Sequence, residues 1–274
     1  MESIYQTLTA RALRICQFQT PSPNETNPSR SPCKRTIISI SGAPGSGKST
    51  IARTVVSRLN ALSKTPFAIT LPMDGFHYPK KQLDLFPDAA SAHARRGAHW
   101  TFDACGVLQL VKALAMSQPS TSTSTREVIY APDFDHAVGD PVEGRICVSG
   151  EISVVLLEGS YLAYGGAGVW TEIGDYVHES WFVEVEEEVA RRRVARRHLR
   201  TGVERTMEGA LRRADENDLR NGRDVCENLI KPDLVVRSVD ESESELESED
   251  EHEAGLLAVV FAHQVVSIST LENR

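Results

Sequence analysis

Thr36-Ile37-Ile38-Ser39-Ile40-Ser41-Gly42-Ala43-Pro44-Gly45-Ser46-Gly47-Lys48-Ser49-Thr50 is a short apolar run that breaks into a glycine-rich turn. Thr36 to Ser41 is β-branched and apolar enough to be a buried strand. From Thr50 to Leu62, apolar residues recur at Ile51, Val55, Leu59 and Leu62, which is helical spacing. Between the two, Gly42, Ala43, Pro44, Gly45, Ser46, Gly47, Lys48 and Ser49 complete the pattern G-x-x-x-x-G-K-[ST]. Strand, glycine turn and helix are the context this pattern requires. The glycines let backbone N–H groups turn inward toward phosphate oxygens, and the helix N-terminus adds partial positive charge. Lys48 is placed to reach the β- and γ-phosphates, and the Ser49 hydroxyl to ligate Mg²⁺. The expected ligand of residues 42–50 is therefore ATP or a related nucleoside triphosphate.

Working outward, 274 residues suit one α/β domain with a lid and some decoration. Apolar residues make up 41% and charged residues 25%, enough to build a core. The formal charge of −8 argues against a nucleic-acid binder, whose surface would be basic. Most of that excess sits in Asp240 to Glu253, which holds nine acidic residues and no Lys or Arg. Five scattered cysteines lack C-x-x-C spacing, which suits reduced thiols rather than a disulfide framework or zinc site. No apolar run reaches membrane-spanning length, so no membrane association is expected. The cytoplasm is the expected location. Met1 to Gln17 reads as an amphipathic helix, with a mitochondrial presequence as the alternative, since Glu2 is its one acid.

Punctuation divides the chain into a helix over 1–19, a flexible linker over 20–35 and an α/β domain carrying the phosphate loop over 36–239. A disordered acidic insertion at 240–254 and a last element over 255–274 follow. Ser117 to Thr125 is low-complexity and reads as a surface loop. The acidic stretch is expected to be solvated and is a candidate surface for a protein partner. Within the domain, strands are expected at Phe67–Leu71, Glu127–Tyr130, Ile152–Leu157, Trp181–Val185 and Leu234–Val236. Helices are expected at Ala104–Met116, Val189–Arg200 and Glu204–Asp218. Such alternation implies a parallel sheet with helices on both faces, and ligands beyond the carboxyl ends of its strands.

Two acids stand at such ends. Asp74, in Pro72-Met73-Asp74-Gly75-Phe76-His77-Tyr78, could accept a proton from an attacking hydroxyl or simply form an Asp-Gly turn. Glu158 closes the apolar run Ile152 to Leu157, the way a carboxylate is presented to Mg²⁺. A guanine-specifying Asn-Lys-x-Asp is absent, which counts against a GTPase switch. Between Arg191 and Arg200 lie six arginines, of which Arg193 and Arg197 share a helical face. Guanidinium forks bind two phosphate oxygens at once, so this helix reads as a lid over triphosphate.

Taken in order, the phosphate loop, Met73 to Tyr78, Arg95-Arg96-Gly97-Ala98 with Thr101-Phe102-Asp103, Tyr130 to His136, Glu158-Gly159 and the arginine lid form a set. The set resembles the uridine kinase, phosphoribulokinase and bacterial-type pantothenate kinase superfamily, most closely its uridine kinase-like branch that includes fungal ATP-dependent kinases. The resemblance spans roughly residues 36–236. It implies a mononucleotide-kinase-like fold and ATP-dependent phosphorylation of a small molecule bearing a hydroxyl. Asp74 matches the catalytic aspartate and a further Mg²⁺ contact. Lys48, Arg193 and Arg197 match groups that stabilise the moving phosphoryl. His77, Tyr78, Arg96, Asp103, Tyr130 and His136 fall where the acceptor is contacted. Gly75-Phe76 resembles the pantothenate kinase form rather than the uridine kinase one, and His198 stands where uridine kinases usually carry Asp. The acceptor is therefore not carried over from either. A homodimer is left open, as are two rival functions: a nucleotide-binding regulatory protein, and a nucleoside monophosphate kinase.

Overall fold

A computed structural model describes residues 1–19, 35–117, 128–166 and 168–239, with the side chains of 17–19 left aside. The expected linker at 20–35 lies almost wholly outside these residues, as do the acidic insertion, the last element and most of the Ser117–Thr125 loop. Glu2–Ser238 forms one compact unit. The N-terminal helix α1 (Glu2–Gln19) belongs to that unit rather than standing apart from it.

The central sheet is parallel throughout, in the order β2 (Ala68–Pro72), β5 (Val154–Glu158), β1 (Thr36–Gly42), β6 (Glu179–Glu184), β7 (Leu234–Arg237). β1 and β5 are buried at every position, as the continuous apolar runs of a doubly covered sheet require. Side chains alternate between the faces. Ile37, Leu71, Val155, Leu157 and Phe182 meet Val107, Val111 and Leu114 of α5 (Ala104–Met116), Ile173, and Val225 of α8 (Leu219–Glu227). On the other face α2 (Lys48–Asn60) packs on β1, β2 and β5 through buried Ile51, Ala52, Val55 and Leu59, and α1 packs on α2 and β1. Arg11 and Arg58 tie α1 down through Glu179 at 2.6 Å and Glu2 at 2.5 Å.

Two elements differ from expectation. The strand expected at Glu127–Tyr130 is β3 (Ile129–Asp135), which pairs antiparallel with β4 (Asp140–Val148) in a separate hairpin. The helix expected over Glu204–Asp218 is instead α7 (Met207–Arg213) followed by a π turn at Ala214–Asp218, which leads directly into α8. Lid helix α6 runs Glu187–Arg200. Two short helices, α3 (Lys80–Leu83) and α4 (Ala89–Ala94), lie between β2 and α5.

Register places the site. Glu158 at the end of β5 lies opposite Ile40 of β1 and Pro72 of β2. The glycine loop two residues past Ile40 and Asp74 two residues past Pro72 therefore emerge on either side of Glu158. Gly159 lets these ends converge, because a Cβ there would run into Met73, with its sulfur at 2.8 Å.

Candidate active site

Gly42 to Ser49 wraps the end of β1, with Gly45 at φ 80° and Gly47 at φ 90°. Both angles belong to the left-handed region that favours glycine. Gly45 is also pressed by the lid: a Cβ would lie 2.7 Å from the Ala190 carbonyl oxygen. Lys48 opens α2, so its side chain and the first free N–H groups of that helix share one end. This curled, cation-tipped backbone fits a polyphosphate.

The Ser49 hydroxyl donates to Glu158 Oε1 at 2.9 Å. Burial raises the Glu158 pKa and the nearby Asp74 raises it further, against the opposing pull of Lys48 and the Ser49 bond. Asp74 lies in the 3₁₀ turn Met73–Phe76 that follows β2. Burial raises its pKa too, but His77, Lys48, Arg197 and His136 together outweigh that, and the net direction is down. The environments thus push the two neighbouring carboxyls in opposite directions, Asp74 down and Glu158 up. Hydroxyl and carboxylate oxygens of this kind suit Mg²⁺, which takes a few protein oxygens and completes its shell with phosphate and water. Among the described residues no group of three or more His, Cys, Asp or Glu side chains forms a ready-made metal cage.

His77 Nδ1 donates to the Asp74 carbonyl oxygen at 2.8 Å. Burial lowers its pKa, against the opposing pull of Asp74. Its ring packs on Phe102 and Phe134 at centroid distances of 4.0 and 5.0 Å, and His136 continues the row from Phe134 at 5.2 Å. From the lid, Arg193 Nη1 reaches Ser238 Oγ at 2.8 Å and the Gly45 carbonyl at 3.4 Å, over the glycine loop. Arg197 points toward Asp218, with Nη2 4.0 Å from Oδ1, while its charge is felt at Asp74.

Lys48, Ser49, Asp74, His77, His136, Glu158 and Arg197 therefore converge. The other expected acceptor contacts have different surroundings. Asp103 caps α5, accepting from the Gly106 N–H at 2.9 Å. Arg96 donates to the Gly139 and Tyr78 carbonyls at 2.6 and 2.8 Å and pairs with Asp140 at 2.6 Å. Tyr78 packs edge-on against Phe86 at 5.6 Å, and Tyr130 is 63% exposed on the hairpin. Arg95 is held by Asn217 Oδ1 at 2.8 Å and Asn221 Oδ1 at 2.6 Å.

Comparison with known proteins places this geometry. No protein-family model matches the chain. The C227.14 protein of Schizosaccharomyces pombe, a candidate uridine kinase, is 38% identical over 206 residues, 75% of this chain and 84% of that protein. This chain belongs to the uridine kinase-like P-loop kinases. It is a phosphotransferase of the ATP-dependent kinase group. The crystal structure of a candidate fructose transport system kinase from Silicibacter sp. TM1040 superposes at TM-score 0.65 with 29% identity, covering 84% of this chain and 98% of that one. The YFH7 kinase structure from Saccharomyces cerevisiae shares the fold at TM-score 0.72 and 24% identity, over 86% of this chain and 99% of that one.

The features of the kinase that sequence reading missed are mostly contacts between distant segments. A Cβ on Gly75 would run into the Pro132 carbonyl group, so the hairpin's backbone lies directly on the Asp74 turn. His198, noted as a departure, is paired with Asp218, 20 positions away. Only the unusual histidine itself was visible in advance.

Proposed function

We propose that this kinase transfers the γ-phosphoryl group of ATP, bound as its Mg²⁺ complex, to a hydroxyl group of a small metabolite of nucleoside, vitamin or sugar type. The observation that carries the reading is the placement of the half-buried Asp74 just past the end of β2, beside the Ser49–Glu158 pair and within reach of the charges of Lys48 and Arg197. A carboxylate at this place orients an acceptor hydroxyl and takes its proton as the phosphoryl moves. Lys48 and the lid arginines Arg193 and Arg197 stabilise charge on the equatorial oxygens, the largest contribution in reactions of this kind. Ser49 and Glu158, with Asp74, would hold the cation, which when bound neutralises charge on the bridged phosphates. Closing α6 over the loop keeps water from acting as acceptor.

Coupled ADP release, screened with ATP and Mg²⁺ against nucleosides, vitamins, sugars and sugar phosphates, tests this. One neutral hydroxyl compound should stimulate turnover. Asp74→Asn should lower that rate by about 10²–10⁴-fold and leave nucleotide affinity unchanged. Wild-type turnover in Asp74→Asn would remove the base assignment. Stimulation by nucleoside monophosphates alone would replace the reading with a monophosphate kinase, and a flat screen with tight ATP binding would replace it with a regulatory role.

A further inference from the structure

A π turn is rare and places one residue more than an α-helix does in the same arc, often at functional sites. Here it aims three side chains at three different places. Asp215 binds Arg191 of α6 through two bonds, at 2.6 and 2.9 Å. Asp218 Oδ2 accepts from His198 Nε2 of α6 at 2.8 Å, and its other oxygen is 4.0 Å from Arg197. Asn217 Oδ1 accepts from Arg95 at 2.8 Å, and Asn217 Nδ2 donates to the Arg96 carbonyl at 2.9 Å. Arg96 continues to the Tyr78 carbonyl, between Asp74 and α3, and to Asp140 of the hairpin.

Asp218 and His198 are 9% and 8% exposed, whereas Arg197 beside them is half exposed. A carboxylate withdrawn from water this far needs a partner, and here the partner sits next in sequence to Arg197. Fixing His198 fixes the last turn of α6, and with it the direction in which the neighbouring guanidinium leaves the helix.

We propose that Asp218 is a positioning residue: through His198 it holds the C-terminal turn of the lid so that Arg197 meets the transferring phosphoryl group, while Asn217 in the same turn locks that geometry to the loop around Arg95 and Arg96. The inference rests on the role given to Arg197 above. Asp218 touches neither nucleotide nor acceptor. Its effect appears where Arg197 acts, on the charge that develops during transfer, and not on ground-state nucleotide binding.

The test needs no acceptor. Binding of Mg²⁺·ADP is measured with and without aluminium fluoride, whose fluoroaluminate stands in for the transferring phosphoryl. The proteins are wild type, Arg197→Ala, Asp218→Ala and the double variant. Arg197→Ala and Asp218→Ala should each weaken the fluoroaluminate complex by about tenfold or more, with ADP alone held within about twofold. The double variant should be no weaker than Arg197→Ala, because one residue acts through the other. His198→Gln, whose amide can still donate to Asp218, and Asp218→Asn, whose amide oxygen can still accept from His198, should stay near wild type, and His198→Ala should behave like Asp218→Ala. If Asp218→Ala binds the fluoroaluminate complex like wild type while Arg197→Ala does not, the positioning role is refuted and the role of Arg197 stands. If Arg197→Ala itself loses nothing, the catalytic reading of the lid fails and the inference falls with it. Additive losses, or equal losses of ADP and fluoroaluminate binding in Asp218→Ala, mean a general structural role and also refute the proposal.

Discussion

Replacing Gly75 by Ala tests whether the hairpin really bears on the Asp74 turn. The added Cβ would run into the Pro132 carbonyl oxygen and lie 2.5 Å from its carbon and 2.9 Å from the Asp133 nitrogen. Those are backbone atoms, about 1 Å inside ordinary contact, and no side chain can swing away to relieve them. Overpacking of this kind costs about 1–3 kcal/mol. In a domain of this size that lowers Tm by about 2–12 °C. The hairpin must move to make room, and it carries Phe134 against His77, with His136 packed on Phe134. A displacement of about 1 Å between acceptor contacts and Asp74 should reduce transfer by about 10²-fold. ADP affinity should hold, because the hairpin bears on the Asp74 turn. The control is Gly174→Ala, where a Cβ meets nothing within 4 Å, and Tm should change by no more than about 2 °C. Differential scanning fluorimetry and the ADP-release assay read both effects. If Gly75→Ala matches Gly174→Ala in Tm and keeps its turnover, the close approach of hairpin and turn is wrong.

Arg96→Ala should lower stability by about 1–3 kcal/mol, since it removes the donor of two carbonyl oxygens and leaves Asp140 with only the Lys80 N–H, and Arg96→Lys should recover only part because one ammonium cannot span all three. A wild-type Tm combined with a raised KM for the acceptor would instead make Arg96 a substrate contact. His77 gives a pH dependence: burial lowers its folded pKa below the ordinary 6.5, so the unfolded chain binds the proton more readily. Its contribution to stability is therefore complete above about pH 6.5 and lost as pH falls toward the folded value. Thermal melts of wild type should show this decline, His77→Gln should flatten it, and identical pH profiles would rule out the lowered pKa of His77.

The phosphate end of the site was legible because its information is local. A strand, a loop with two left-handed glycines and a helix occupy 25 consecutive residues from Thr36 to Asn60, and each choice of residue agrees with the next. Strand-end acids were legible for the same reason, since Glu158 ends an unbroken apolar run. β4 was not: Pro141 and Gly144 sit within it and most of its side chains are exposed, so no alternation marks it. α8 was hidden by its own packing. Its buried face is Leu219, Asn221, Gly222 and Val225, which reads as polar. Gly222 is there because Ala43 of the glycine loop comes within 3.1 Å of where its Cβ would be. The polar members serve Arg95, 126 positions away from Asn221. Asp103 and Arg96 carried the right residue types for ligand contacts, yet a helix cap and three protein oxygens occupy them. Residue type announces what a group can bind, and only the fold decides which partner reaches it first.

That distinction bears on how the kinase could read its acceptor. Had Arg95 and Arg96 been open to the pocket, an anionic group would have been the natural thing for them to bind. Both instead bridge protein elements, Arg95 to the π turn and α8, Arg96 to the hairpin and to the chain just past Asp74. The same bonds that withdraw these cations from the acceptor also connect the hairpin, the Asp74 turn and the lid into one frame. A kinase that must keep water from its phosphoryl group gains from such a frame, because it ties the lid to the acceptor side of the site. Loosening the π turn should therefore harm transfer before it harms nucleotide binding, which is the order of effects the contacts of Asp218 and Asn217 lead us to expect.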